Sequence, residues 1–164
     1  MTLKESGTPL IKIRTISSVE AYIKFEGANL TGSFKDRGMS LAISLAKAHN
    51  ISAVIAVSTG NTAASLAAYA GRAELKAIVA IPKEKVALGK LFQAILRGAL
   101  IVEIRGNFDG TLKVVMKTTE RYPKLYPLNS FNPWRLEGQK TIWKGIKELK
   151  ALSLISKLPR MVEV

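Results

Sequence analysis

A regular alternation between Ser52 and Leu128 restricts the possible folds of this chain more than any other feature. Ala53 to Val57 is a continuous apolar run, which suits a strand buried on both faces. Ser58-Thr59-Gly60-Asn61-Thr62 reads as a turn, and Ala63 to Arg72 as a helix of small residues. Leu75 to Ile81 is a second buried strand ended by Pro82, and Val86 to Arg97 a helix closed by Gly98. Ala99 to Ile104 is a third strand, Gly106 to Gly110 a turn, Leu112 to Arg121 a helix, and Leu125-Tyr126 with Leu128 a short fourth strand. Strands and helices at such short intervals require right-handed crossovers, hence a parallel sheet with helices on both faces. The expected fold class is α/β, a parallel-sheet three-layer α/β/α arrangement.

Composition narrows the chemistry. At 164 residues and 48% apolar, the chain is long and apolar enough for one domain, or one and a part, with a real core. The absence of cysteine removes disulfides, thiolate metal sites and cysteine nucleophiles together. One histidine, His49, rules out a histidine-rich metal cluster. Its place at a helix end suits interaction with the helix dipole better than catalysis. No basic-then-apolar leader or spanning run is visible, so a cytoplasmic protein with no membrane partner is expected. The net charge of +13 permits nucleic-acid binding, but the cations are scattered from Lys4 to Arg160 with few interleaved aromatics. A phosphorylated small-molecule substrate accounts for the charge as well.

Upstream of the alternation, Gly7-Thr8-Pro9-Leu10 is a turn leading into a strand, and Ala21 to Phe25 alternates as a half-exposed strand. Gly32-Ser33-Phe34-Lys35-Asp36-Arg37-Gly38 joins that strand to a helix read from Met39 to His49, which Ser33 can cap. A helix N-terminus favours anions and disfavours a second positive charge. The neutral amine is the form that adds to an aldehyde, so Lys35 is a candidate nucleophile. An ordinary turn with a solvated lysine is the alternative reading.

Two further turns suit anions. Ser58 to Thr62 follows a buried parallel strand and opens a helix, where open α/β sheets bind ligands. Gly60 allows close approach, and the hydroxyls, Asn61 and free helix N–H groups can hold a carboxylate or phosphate. Capping by Ser58 or Thr59 is the competing explanation. There is no nucleotide phosphate loop. Asn129-Ser130-Phe131-Asn132-Pro133-Trp134-Arg135 offers two amides, a hydroxyl and a guanidinium that could grip a phosphate in bidentate fashion. Pro133 makes Asn132 extended. A linker between domains explains that stretch equally well.

Taken together, Ala28 to Gly38, Ser58 to Thr62, and Asn129-Ser130 through Arg135 to Lys140 resemble the threonine synthase family, pyridoxal-phosphate enzymes of the tryptophan-synthase-β type. The likeness runs in order from about Thr8 to Thr141, with Leu30 where the family usually has proline. It implies that Lys35 carries the cofactor through its amine, that Phe34 and Asn61 line the cofactor, and that Asn61 meets the ring's 3′-oxygen. It implies that Ser58, Thr59 and Thr62 bind or line the substrate carboxylate, and that Asn129, Ser130 and Arg135 hold the phosphate of O-phosphohomoserine. The implied reaction forms threonine and phosphate from O-phosphohomoserine and water, in a cytoplasmic homodimer. Serine or threonine dehydratases share the first two motifs. A non-catalytic anion-binding α/β module remains a reading from another class.

The resemblance also implies a domain plan. Residues 1–50 begin a larger domain, 51–130 form a complete smaller domain, and 131–164 return to the larger one. The larger domain is expected to be truncated, lacking the family's glycine-rich loop for the cofactor phosphate. From Thr141 the pattern thins: Ile142, Ile146 and Leu149 keep helical spacing, but Leu152 to Val164 shows no strong strand or cap.

Overall fold

The computed structural model describes residues 2–16, 19–83, 88–142, 147, 150–153 and 156–157. Strands β1 (Leu10–Ile16) and β2 (Val19–Lys24) form an antiparallel ribbon. A short 3₁₀ turn, Glu26–Ala28, leads to α1 (Lys35–Ala48). There follow β3 (Ala53–Val57), α2 (Asn61–Arg72), β4 (Lys76–Pro82), α3 (Leu88–Leu96), β5 (Leu100–Ile104), α4 (Phe108–Arg121), β6 (Leu125–Pro127) and α5 (Pro133–Gln139). The sheet order is β5-β4-β3-β6, and every pairing in it is parallel, as the alternation predicts.

Successive side chains of a strand point to opposite faces, and both faces of β3 and β4 are covered. Val54, Ala56, Val79 and Ile81 pack into a large core with α1, α2 and α3 residues such as Met39, Ile43, Leu66 and Leu91. Ile55, Val57 and Ala80 pack the other way, against Val115 of α4. The small residues of α2 matter here. Ala63, Ala64, Ala67 and Ala70 are wholly buried and let α2 lie close to both its sheet and its neighbouring helices.

Several boundaries differ from the sequence reading. Helix α1 begins at Lys35, a full turn before Met39, with Phe34 rather than Ser33 in the N-cap position. Ser33 Oγ accepts a hydrogen bond from the Lys35 N–H at 3.3 Å, so it still serves an end of the helix. Helix α2 begins at Asn61, and α4 at Phe108, where Asn107 caps by accepting from the Gly110 N–H at 2.9 Å. Pro133 occupies the first turn of α5, and Asn132, extended at ψ 125°, caps it by accepting from the Arg135 N–H. His49 is the C-cap of α1 and stacks on Trp134, ring centroids 5.3 Å apart. Residues 84–87, with which the α3 pattern opened, lie outside the described residues, as do Ile146, Leu149 and most of the stretch from Leu152 to Val164. Among the described residues no helix is long and apolar enough to cross a membrane, and no cluster of ligating side chains could hold a metal.

Candidate active site

Three chain segments carry the candidate residues, and two of them follow the carboxyl ends of β3 and β6. The first is the turn before α1. Gly32, at φ +76°, takes a left-handed conformation that a side chain would strain. Asp36, wholly buried, accepts from the Thr31 N–H at 2.9 Å and the Thr31 hydroxyl at 2.5 Å. Asn29 Nδ2 donates to the Ser33 carbonyl at 3.1 Å, closing the same turn from the other side. Lys35 therefore leaves a fixed backbone. Its ammonium lies 3.9 Å from the centre of the Phe34 ring, whose face attracts a cation.

Two residues beyond Lys35, Arg37 ties this helix to the ribbon. Its Nε and Nη2 donate to the two Glu26 oxygens at 2.7 and 2.9 Å, and Nη2 also reaches Thr8 Oγ1 at 3.0 Å. Burial pulls the Glu26 carboxyl up, but hydrogen bonds from Arg37, Thr8 and Asn29 outweigh it and leave the group below its ordinary value.

The second segment is Ser58 to Thr62. Ser58 N–H bonds the Ala80 carbonyl, and Ser58 Oγ accepts from the Gly60 N–H at 3.1 Å, so the hydroxyl shapes the turn. Thr59 is half-buried beside it. Asn61 opens α2, and its buried Oδ1 has no hydrogen-bond partner among the described residues. A buried amide oxygen without a donor is costly and suits an incoming donor.

The third segment follows β6. Asn129 extends the sheet with its side chain: Oδ1 accepts from the Val57 N–H at 3.2 Å and Nδ2 donates to the Val57 carbonyl at 3.1 Å. This side-chain ladder fixes the β6 exit against the β3 exit. Ser130 is exposed next to it. Arg135, on α5, is wholly buried; Nη1 donates to the Leu128 carbonyl at 3.0 Å and Nη2 to Thr62 Oγ1 at 3.4 Å. Its Nε is unpartnered, and no carboxylate pairs with it among the described residues. Burial lowers its pKa to about 10, the mark of a cation held without a counter-anion.

The structure thus joins Thr62 to Arg135 by a hydrogen bond and Asn129 to the strand that delivers Ser58. It packs α1, which starts at Lys35, against both α2 and α5. Sequence reasoning missed Glu26, whose charge completes the anchor of the lysine helix, and Gly38 and Gly138, where α1 and α5 touch. The paired glycines were visible in the sequence, one per helix, but nothing there says that they meet.

An open parallel sheet, a lysine at a helix N-terminus and a buried guanidinium just past β6 define an α/β protein with a candidate anion site at its strand exits. The chain belongs to the family described as pyridoxal-phosphate dependent enzymes, whose profile matches residues 1–157. It is 52% identical to the threonine synthase of Halalkalibacterium halodurans over 144 residues, covering 86% of this chain and 40% of that protein. It is 41% identical to the threonine synthase of Methanocaldococcus jannaschii over 197 residues, covering 100% of this chain and 48% of that protein. Its fold superimposes on the processed form of threonine deaminase isoform 2 from Solanum lycopersicum with a TM-score of 0.75 and 27% identity, covering 86% of this chain and 40% of the other. The chain spans about half the length of the curated relatives it matches.

The M. jannaschii alignment has 197 positions against 164 residues here, so at least 33 positions have no residue in this chain. That match includes the residues after Thr141 whose pattern thins, so they belong to the family's sequence too.

The residues present fit pyridoxal phosphate at its reactive end. Lys35 offers an amine for the aldehyde, and the partnerless Asn61 oxygen offers an acceptor at the opening of α2.

Proposed function

We propose that this chain supplies the amine-bearing half of a threonine-synthase-like site, acting on O-phosphohomoserine and water to give threonine and phosphate. The observation that carries this reading is Arg135. A fully buried cation without a carboxylate costs several kcal/mol unless an anion joins it. Thr62 and Arg135, already hydrogen-bonded, then receive a phosphate or carboxylate, with Asn129 and Ser130 beside them. The guanidinium neutralises the group that departs as phosphate, and its fork geometry favours a tetrahedral oxyanion. Lys35 would hold the cofactor through its amine and would move protons at the substrate carbons. Bound pyridoxal phosphate supplies the electron sink for that chemistry. Phe34 packs beside Lys35, Asn61 orients the ring, and Ser58 and Thr59 line the carboxylate side. The homology to threonine synthases at 52% and 41% identity supports the choice of substrate.

The test has two stages. Pyridoxal phosphate followed by borohydride should label Lys35 in a peptide map, and Lys35→Ala should abolish that label. A label that persists in Lys35→Ala, or that maps elsewhere, overturns the assignment. Phosphate and threonine released in equal amounts from O-phosphohomoserine support the synthase reading. Keto-acid formation from threonine without phosphate chemistry points to the dehydratase reading instead.

A further inference from the structure

Much of the turn ahead of Lys35 is held by its own segment. Asp36 takes the N–H and hydroxyl of Thr31, and Asn29 takes the Gly32 N–H on its carbonyl. The Thr31 carbonyl is held from elsewhere: Lys90 Nζ, on α3, donates to it at 3.2 Å. The ammonium also stands 3.4 Å from the position that a Cβ on Gly32 would occupy. It therefore stands against the Thr31–Gly32 peptide.

Helix α3 packs on α2, whose first residue is Asn61, so Lys90 reaches the lysine turn from the helix layer that carries the second site segment. The Thr31 residue sits between a carboxylate on its N–H and an ammonium on its carbonyl. The carbonyl that Lys90 engages shares its peptide with the Gly32 N–H, which donates to the Asn29 carbonyl at 2.9 Å, so the ammonium strengthens that bond as well. Lys90 is half-buried and makes this one hydrogen bond among the described residues. Its stem could have run into solvent, so the ammonium is committed here against a loss of rotamer freedom.

We propose that Lys90 is a positioning residue for Lys35: through the Thr31–Gly32 peptide it locks the lysine turn in register with the Asn61 end of α2. The proposal rests on the reading of Lys35 as the cofactor amine. An alternative role for the same charge is direct attraction of an anionic ligand, and the two roles separate by the charge of the aldehyde used.

The experiment measures the rate of borohydride-trapped labelling of Lys35 in the intact chain, with pyridoxal phosphate and with pyridoxal, which lacks the phosphate. A charge-assisted hydrogen bond is worth roughly a tenfold change or more. Lys90→Met should therefore slow labelling about tenfold with both aldehydes, and Lys90→Arg, which keeps a donor, should recover most of the rate. A thermal melt of each variant checks that the fold survives. Lys90→Gln, which keeps a weaker neutral donor, serves if Lys90→Met does not fold. Unchanged labelling in Lys90→Met or Lys90→Gln, a loss confined to pyridoxal phosphate, or no recovery in Lys90→Arg overturns the proposal. Absence of Lys35 labelling in the unaltered chain with either aldehyde instead overturns the cofactor reading on which it rests.

Discussion

Gly38 of α1 and Gly138 of α5 meet backbone to backbone. A Cβ on Gly138 would stand 2.8 Å from the Gly38 Cα and 2.5 Å from the Arg37 carbonyl oxygen; one on Gly38 would stand 2.7 Å from the Arg135 carbonyl oxygen. At Gly138 every one of these close atoms is backbone and cannot swing aside; at Gly38 the Gln139 side chain also stands 3.0 Å away. The crossing therefore sets the spacing between the helix that starts at Lys35 and the helix that carries Arg135. Gly138→Ala should force the two helices apart and destabilise the chain by about 1–3 kcal/mol, the usual cost of overpacking. A shift of the urea midpoint to lower concentration checks this, and Lys35 labelling should fall with it.

Asn129 stands in for a length of strand. Asn129→Ala removes both bonds to Val57 and leaves a buried N–H and carbonyl without partners. The expected cost is about 2–4 kcal/mol, since each unsatisfied buried group costs roughly 1–3 kcal/mol. Asn129→Asp should cost a similar amount, because a carboxylate still accepts from the N–H but opposes the Val57 carbonyl. Equilibrium unfolding of the two variants measures both.

The Glu26 carboxyl is held below its ordinary value of 4.5 in the folded chain, despite the burial that pulls it up. A depressed carboxylate contributes stability that is fully present above the unfolded pKa and is lost as pH falls through the folded one. The melting temperature should therefore drop as pH is lowered below about 4.5. In Glu26→Gln that part of the acid dependence should flatten, while stability at neutral pH falls because Arg37 loses its ion pair. Melts from about pH 7 down to about pH 3, a range that crosses the ordinary carboxylate pKa, measure it.

Arg135 should make the chain respond to inorganic phosphate. An anion that binds only the folded state raises its stability by about 2.7 kcal/mol at a hundred times its dissociation constant. The thermal midpoint should rise with phosphate in the unaltered chain and stay flat in Arg135→Met. Chloride at matched ionic strength controls for screening. Arg135→Lys should recover little, because an ammonium cannot reach Leu128 and Thr62 at once as the fork does.

The sheet was the most legible part of the sequence. Ala53 to Val57 has one apolar residue after another, and only a strand covered on both faces needs that. Helix starts were harder. Lys35-Asp36-Arg37-Gly38 and Phe108-Asp109-Gly110 look like turns because their polar groups and glycines favour turns locally. In the fold, Asp36 closes on Thr31 five residues back and Arg37 reaches Glu26 and Thr8 on the ribbon side, and the second set of contacts is one that no local propensity records. The candidate site shows the same division. Its motifs could be found one by one, but the pairing of Thr62 with Arg135, and the lack of an anion beside that guanidinium, depend on tertiary packing.

The described contacts of the β1 and β2 ribbon with the body gather at its Leu10–Lys24 end. Lys24 Nζ donates to the Thr8 carbonyl, the Phe25 N–H bonds Pro9, and Arg37 clamps Thr8 and Glu26 beside them. Ile11, Tyr22 and Ile23 are exposed, so little apolar burial backs this part of it. Two strands without a covered face are marginal by themselves. The ribbon should breathe by unzipping from the Ile16–Val19 pair toward the Leu10–Lys24 pair, and its amides should take up deuterium in that order while those of β3 and β4 stay protected.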